Sequence, residues 1–191
     1  LIDVPYPGRL MIRAEILPES MIPVISGDLI LCDGTTNTLS VDSLRSVRYA
    51  NEVVAVIQGS DNLAFSGQQA LGSPNVYPVE GLNTAAWTAF SSVDETGFIE
   101  LSFPNPAPIN YIDIYETYNP GGIAALYIKN ADTDLFEQVT LPATNNTNDT
   151  VRINHISFPL TTFFVSEIRI ELKVDSTYHA IDAVSIGEIS L

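Results

Sequence analysis

Glu116 is the residue whose type and position raise the first chemical question in this sequence. It ends a predicted strand, residues 109–116, in which Ile112 and Ile114 share its parity. Period-2 alternation therefore points all three side chains to the same inner face. A carboxylate there needs a partner. The candidates are backbone N–H groups of the turn at 119–122, a hydroxyl of Thr117 or Tyr118, an arginine, or a bound cation. A structural brace and a ligand-binding role both stay open.

Groups for nucleophilic or zinc chemistry form no known pattern in this sequence. His155 lies in a predicted strand and His179 in a loop, and neither belongs to a His-Glu-x-x-His motif. The chain has no Gly-x-Ser-x-Gly elbow, and Cys32 is its only cysteine. We therefore expect no catalytic residue and a protein that is not an enzyme. Paired carboxylates for glycoside cleavage stay open, because their spacing is spatial and not sequential.

The charge balance narrows the classes of partner. Eight basic residues against twenty-three acidic ones give a formal net charge of −15. Nucleic acids and anionic membrane surfaces require clustered Lys or Arg, so neither is expected as a partner. No window approaches the roughly twenty apolar residues that a membrane-spanning helix needs, so we expect no membrane insertion. Two glycosylation sequons, which begin at Asn145 and Asn148, weakly favour a secreted or cell-surface chain.

The pattern along the chain predicts β structure with little helix. Val, Ile, Thr, Tyr and Phe are frequent, and Pro and Gly recur at short intervals. The predicted strands after residue 60 span 97–103, 109–116, 123–129, 135–140, 151–158, 166–174 and 181–190. The turn formers at 129–134 predict a hairpin. A single short helix is expected after Ser66, with Ser66 and Gln69 as a capping box and Gly72 as its end.

Residues 1–60 form a separate region of predicted β structure, with strands at 10–17, 22–32, 38–47 and 52–58. No linker rich in Ser, Gly or Pro follows it. We therefore expect two parts. The first, 1–60, packs on the second or completes a neighbouring subunit, and the second, 61–191, is a β-sandwich.

Several ordered motifs after residue 60 together resemble a known family. They are Ala-Phe-Ser-Gly-Gln-Gln-Ala-Leu-Gly-Ser-Pro-Asn-Val-Tyr-Pro at 64–78, Trp87, Tyr-Glu-Thr-Tyr-Asn-Pro-Gly-Gly at 115–122 and Ile-Asp-Ala-Val at 181–184. This set resembles the discoidin-like branch of the galactose-binding-like superfamily, the coagulation-factor type C-like domains. The resemblance implies an all-β jelly-roll sandwich, usually extracellular, that recognises ligands and rarely catalyses.

The resemblance also implies two sets of site residues. Many such domains hold a structural calcium ion where the opening segment meets the closing strand, and oxygen ligands on loops suit that cation. The calcium candidates are Asp182, Asn75, Asn83, Asp61 and Glu80, and solvated acids without metal are the other reading. Sugar-binding members present aromatic residues on loops, so the ligand-binding candidates are Tyr118, Tyr178, Trp87, Glu116 and Asn119. For Trp87, packing in the core is the favoured alternative.

Two functions fit these observations best. The first is a non-catalytic extracellular structural or adhesive protein, a subunit of a surface appendage, filament or matrix that contacts copies of itself or other surface proteins. The second is a carbohydrate-binding module of a larger secreted protein, with glycans as partners. An enzyme with carboxylates that the sequence does not reveal is a third reading.

Overall fold

The computed structural model describes residues 21–26, 40–57, 63–90, 94–142 and 150–190. Contacts divide the chain into two compact units, residues 1–47 with 189–191 and residues 48–188. The strands, in chain order, are β1 (Met21–Ser26), β2 (Ser40–Ser46), β3 (Arg48–Tyr49), β4 (Glu52–Ile57), β5 (Trp87–Phe90), β6 (Phe98–Ala107), β7 (Tyr111–Tyr118), β8 (Ile123–Asn130), β9 (Phe136–Val139), β10 (Arg152–Ser157), β11 (Val165–Leu172), β12 (Tyr178–Gly187) and β13 (Ile189–Ser190).

The smaller unit contains a three-stranded antiparallel sheet in the order β1-β2-β13. The β1–β2 register shifts between Val24 and Ile25, where the ladder is irregular. The predicted strand at 10–17 and the end of the one at 22–32 lie outside the described residues. The division by contacts falls before the expected boundary near residue 60. Strand β3 pairs with β12 and strand β4 pairs with β6, so residues 48–57 belong to the sheets of the larger unit.

The larger unit is a sandwich of two antiparallel sheets, which confirms the predicted all-β architecture. One sheet has the order β10-β7-β12-β3, with β5 also paired to β12, and the other has the order β4-β6-β11-β8-β9. Strand β11 shows why these residues form a sandwich. Ile168 and Ile170 are fully buried while Arg169 between them is partly exposed, as the sequence alternation predicts.

The core fills the space between the two sheets with branched apolar side chains. Ile112 and Ile114 of β7 and Val184 and Ile186 of β12 meet Ile168 of β11 in one buried cluster. The predicted hairpin at 129–134 is confirmed, because β8 and β9 pair directly and Asn130 Oδ1 accepts the N–H of Asp132. Most predicted strands agree with the structure within a few residues. The exceptions are the short strands β3 and β5, which the pattern did not predict.

The predicted short helix is a single 3-10 turn, Gly67–Ala70. The expected capping box does not form. Ser66 Oγ and Gln69 Nε2 instead both donate to the carbonyl oxygen of Leu63, at 2.9 and 2.8 Å. A four-residue turn is too short for the α-helical spacing that brings the N-cap and N3 side chains to each other's backbone N–H groups. Gly72 follows the turn with φ +79°, as its predicted terminating role requires.

Replacing Ile170 with alanine tests the packing of the sandwich. Ile170 lies on β11, the central strand of its sheet, and its side chain is fully buried. We expect a loss of about 2–5 kcal/mol in unfolding free energy, measured by urea titration. Val174→Ala is the control, because Val174 is exposed, and its change should stay within about 0.5 kcal/mol. Equal effects of the two substitutions would contradict this packing.

Candidate functional site

The turn between β7 and β8 is held by the buried carboxylate of Glu116. Oε1 accepts the backbone N–H of Gly121 at 2.7 Å, and Oε2 accepts the Nε–H of Arg152 at 2.8 Å. Arg152 is the direct cross-strand neighbour of Glu116 in the β10–β7 ladder. Both carboxylate oxygens are thus engaged by donors that the sequence analysis names as possible partners. The charge-assisted pair of Glu116 and Arg152 therefore holds the turn Tyr118–Gly122 in place.

Lys173 holds the other side of this turn. Its Nζ donates to the carbonyl oxygen of Gly121, and its backbone N–H donates to the carbonyl oxygen of Gly122, each at 2.6 Å. Gly121 has φ +94°, a conformation that favours glycine. A Cβ added to Gly122 would clash with the imidazole ring of His179. His179 can therefore contact the turn only because residue 122 is glycine.

His179 joins the turn to the loop that precedes β12. Its Nδ1 donates to the carbonyl oxygen of Asn119 at 2.8 Å, because a carbonyl can only accept. Its Nε2 lies 3.0 Å from Asp175 Oδ2 and 3.2 Å from Thr177 Oγ1. A second hydrogen bond joins the same two loops, because Asn119 Nδ2 donates to Thr177 Oγ1 at 2.8 Å. The imidazole is buried, so this network ties the two loops together.

The strand ends beside these two loops present aromatic side chains to solvent. Tyr118 is the last residue of β7 and Tyr178 is the first residue of β12. Tyr178 is 51% exposed and Tyr118 is 36% exposed. The Tyr178 ring packs on Phe90, its cross-strand partner on β5, with centroids 5.1 Å apart. Tyr118 pairs with Ala180, two residues beyond Tyr178 on β12, so the two tyrosines lie on the same face. We call Phe90, Tyr118, Asn119, Thr177 and Tyr178 the loop-end cluster.

Two of the predicted ligand-binding residues lie elsewhere. Trp87 is 0% exposed and packs in the main core, so the prediction that it contacts a ligand is corrected. Its place on β5 directly opposite Ile181 directs the indole inward. Glu116 is also buried, and its two oxygens are taken by Gly121 and Arg152. It positions Tyr118 and Asn119 and does not itself face a ligand.

Asp182 accepts hydrogen bonds from the backbone of the opening segment. Its Oδ2 accepts the N–H groups of Asn75, Val76 and Tyr77 at 3.1, 3.1 and 2.8 Å, and its side chain is 1% exposed. Three successive backbone N–H groups around one carboxylate form a nest, which stabilises an anion. The closing strand and the opening segment are therefore joined directly, as the resemblance implies for this junction.

Of the other calcium candidates, Asn75 meets Asp182 through its backbone N–H, which is a donor and not a metal ligand. The N–H groups point at the carboxylate and would repel a cation there, so Asp182 as placed does not fit a calcium ligand. Asn83 uses its Oδ1 to accept the N–H of Ala85, and the side chain of Glu80 is exposed. Asp61 lies outside the described residues. No group of three or more His, Cys, Asp or Glu side chains in the described ranges is placed to hold a metal. Calcium binding stays a prediction.

Five residues that hold the turn or join the two loops were not predicted as functional from the sequence: Arg152, Lys173, Asp175, Thr177 and His179. Their roles depend on which strands are neighbours, and a single sequence does not give that order. Gly122 carried a signal that was available. The pair of glycines at 121 and 122 indicates that another group approaches the turn closely.

The described residues contain no helix long and apolar enough to cross a membrane.

No protein-family model matches the chain, and the search of curated proteins finds no match. Solved structures do match. The carbohydrate-binding and M60 catalytic domains of ZmpB from Clostridium perfringens match with TM-score 0.52 and 14% identity, covering 74% of this chain and 15% of that one. The family 32 carbohydrate-binding module of EndoD from Streptococcus pneumoniae gives 0.49 and 12%, covering 72% and 94%. A chitosan-binding module from Paenibacillus sp. IK-5 gives 0.47 and 13%, covering 74% and 93%.

The ZmpB match, with its TM-score above 0.5, supports the galactose-binding-like, discoidin-like β-sandwich fold for the larger unit and confirms the expected resemblance at the level of fold. At 14% identity the likeness concerns the fold alone. The function of this chain has to be argued from its own site residues.

The charge of Asp175 gives the first prediction for the site. Burial raises the pKa of Asp175, but hydrogen bonds from Thr177 and His179 outweigh this and lower it below its ordinary 3.8. A lowered folded-state pKa stabilises the protein above the ordinary value, and the contribution is lost as pH falls through the folded value. We expect the stability difference between wild type and Asp175→Asn to be complete above about pH 5 and to disappear in more acidic solution.

Urea unfolding of both proteins at a series of pH values measures this difference. Asp132→Asn is the control, because Asp132 is an exposed carboxylate in the β8–β9 hairpin. A difference that persists unchanged down to about pH 2 would show that the carboxylate charge is not what holds the loop.

The nest around Asp182 gives a second prediction. Asp182→Ala leaves three backbone N–H groups without their acceptor, so we expect a loss of about 2–4 kcal/mol in urea unfolding. Asp94→Ala, at an exposed position, is the control. Because N–H groups already neutralise the carboxylate, the loss caused by Asp182→Ala should be the same in added calcium and in a chelator. A loss that is several kcal/mol larger in calcium would contradict this view of the junction.

Proposed function

We propose that this chain is a carbohydrate-binding module and that the loop-end cluster is its glycan site. The observation that carries the proposal is the exposed Tyr178 ring, packed on Phe90 beside Tyr118 and next to the side-chain amide of Asn119. Aromatic faces stack on the C–H faces of sugar rings, and amides and hydroxyls bind sugar hydroxyls. The cluster supplies aromatic faces, tyrosine hydroxyls and the Oδ1 of Asn119, whose Nδ2 donates to Thr177 Oγ1 and to the carbonyl oxygen of Tyr178.

The site is held in place before any ligand arrives. Glu116 and Lys173 fix the turn that carries Tyr118 and Asn119, and His179 joins it to the loop that carries Tyr178. A site ordered in advance loses less conformational entropy on binding. This arrangement supports recognition without a chemical step. No acid and base of the cluster face each other across a space for a substrate, so we propose binding without catalysis.

The charges favour neutral glycans over acidic ones. Arg152 and Lys173, the two basic side chains beneath the cluster, are already bound to Glu116 and to the carbonyl of Gly121. Asp175 adds a negative charge, and the whole chain carries −15. An acidic sugar would therefore meet repulsion with no basic group left to offset it. The ligand class that we propose is a neutral mono- or oligosaccharide.

The structural neighbours support this proposal at a coarse level. The ZmpB structure contains carbohydrate-binding modules joined to a catalytic domain. By that precedent, we propose that this chain works outside the cell as one module of a larger protein. The filament or adhesive-subunit reading stays a prediction, and nothing in the described ranges favours self-association over glycan binding.

Tyr178→Ala and Tyr118→Ala test the proposal. A glycan array of neutral and acidic sugars identifies the ligand, and isothermal titration then measures its Kd. We expect each substitution to weaken binding about fivefold, since an aromatic contact contributes on the order of 1 kcal/mol. Tyr127→Ala on β8 is the matched control and should bind like wild type. Unchanged affinity in both loop variants, with the fold intact by circular dichroism, would reject the loop-end cluster as the site.

A further inference from the structure

A second concave site lies on the side of the sandwich, away from the loop-end cluster. It is a groove of about 570 Å³ between β9 and β10. Strand β9 ends the order of one sheet and β10 ends the order of the other, so the groove runs beside an edge strand of each sheet. We call it the lateral groove. Its volume falls in the range of small-ligand sites.

Apolar side chains form part of the walls of the lateral groove. Ile128 and Val139 are buried in the core and reach the groove from the β8–β9 side. Phe158 and Phe163, only partly buried, pack against the core from the loop after β10 and also line the groove. A ligand there would cover apolar surface that the sandwich leaves open, and this contributes about 25 cal/mol for each Å² removed from water.

Hydrogen-bonding groups surround this apolar surface. Gln138, Thr140, Ser157 and Thr162 line the groove. Thr161 also lines it, but its hydroxyl accepts the N–H of Ile109 and donates to the carbonyl oxygen of Phe163. The first four residues are the ones that could meet a ligand. They supply amide and hydroxyl groups, which can both donate and accept. Such a ring of dual-purpose groups around an apolar surface matches a sugar ring, whose faces are apolar and whose edge carries hydroxyls.

His155 is the most constrained polar group of the groove. Its Nδ1 is hydrogen-bonded to Asp113, whose side chain is buried, and its ring stacks on Tyr111 with centroids 5.7 Å apart. The imidazole orientation is therefore fixed by two contacts. The ring is still 44% exposed, and its Nε2 is the nitrogen that Asp113 does not engage. It is a rigid hydrogen-bonding group on the groove wall.

The charges of the groove exclude an anionic ligand. Among the described residues that line it there is no Lys or Arg, and Glu137 is one of them. A carboxylate, sulfate or phosphate ligand would have only His155 as a partner and would face Glu137 as well as the overall negative charge. Neutral hydroxyl-rich molecules are not repelled by these negative charges.

From these observations we propose that the lateral groove is a second binding site, one that takes a neutral sugar unit, with His155 and Gln138 as hydrogen-bonding residues. It goes beyond the proposed function because it is a separate site on the side of the sandwich. It does not depend on Tyr118 or Tyr178, and it stands or falls by its own test.

Amide NMR of the full-length ¹⁵N-labelled chain tests the groove. The probes are lactose, N-acetyllactosamine, cellotetraose, xylotetraose and mannotetraose, with trigalacturonate as the acidic comparison. We expect at least one neutral probe to shift the amide signals of Gln138, Thr140, Ser157 and Thr162 in a saturable way, and trigalacturonate to leave them unchanged.

Variants separate this site from the loop-end cluster. His155→Ala and Gln138→Ala should each raise the Kd from the groove signals about threefold to tenfold. Gln138 is exposed, so Gln138→Ala keeps the test valid if removal of His155 disturbs the buried Asp113. Tyr178→Ala should leave the groove Kd unchanged.

The possible results point in distinct directions. Shifts at the groove alone support the lateral groove and count against the loop-end cluster. Shifts only around Tyr118 and Tyr178, or no shifts with any neutral probe, overturn the lateral groove. Shifts at the groove with trigalacturonate alone overturn the proposed ligand class and with it the proposal.

Discussion

The buried carboxylate of Glu116 is the interaction on which the loop end of the sandwich depends. A charge in that position is costly unless donors surround it, and Gly121 and Arg152 provide them at 2.7 and 2.8 Å. This requirement couples three elements, because β7 carries the acid, β10 the arginine, and the turn the N–H group. The turn then places Tyr118 and Asn119 beside Tyr178. The candidate glycan site thus rests on an ion pair that no ligand touches.

Asp182 applies the same physical rule at the junction of the opening segment and β12. Here the donors are three backbone N–H groups of residues 75–77, so the chain neutralises the charge with its own peptide dipoles. A cation at this junction would need the carboxylate oxygens to face the other way. Both buried acids therefore fix loops to strands. The residues left to meet ligands are aromatic, amide, hydroxyl and imidazole groups.

Much of the fold followed from the residue pattern. Alternation in 166–174 separated Ile168 and Ile170 from Arg169, and the turn formers after Lys129 marked the hairpin, because both signals are local. Other features were not accessible in this way. Strand β5 is four residues long, and its pairing with β12 is a tertiary event. The capping box at Ser66 failed because a 3-10 turn does not have α-helical spacing. The sequence was compatible with either a buried or an exposed Trp87. Its register opposite Ile181 on β12 is what places the indole in the core.

The sequence by itself determined the β class and the inward direction of Glu116, since side-chain parity acts over a few neighbouring residues. Only the tertiary structure decided that Tyr118 ends β7 and Tyr178 begins β12. It also decided which donors meet Glu116 and Asp182, which loops His179 joins, and that a groove lies between β9 and β10. These outcomes depend on strand order. Strand order is set by packing between residues far apart in the chain, and a local pattern does not contain that information.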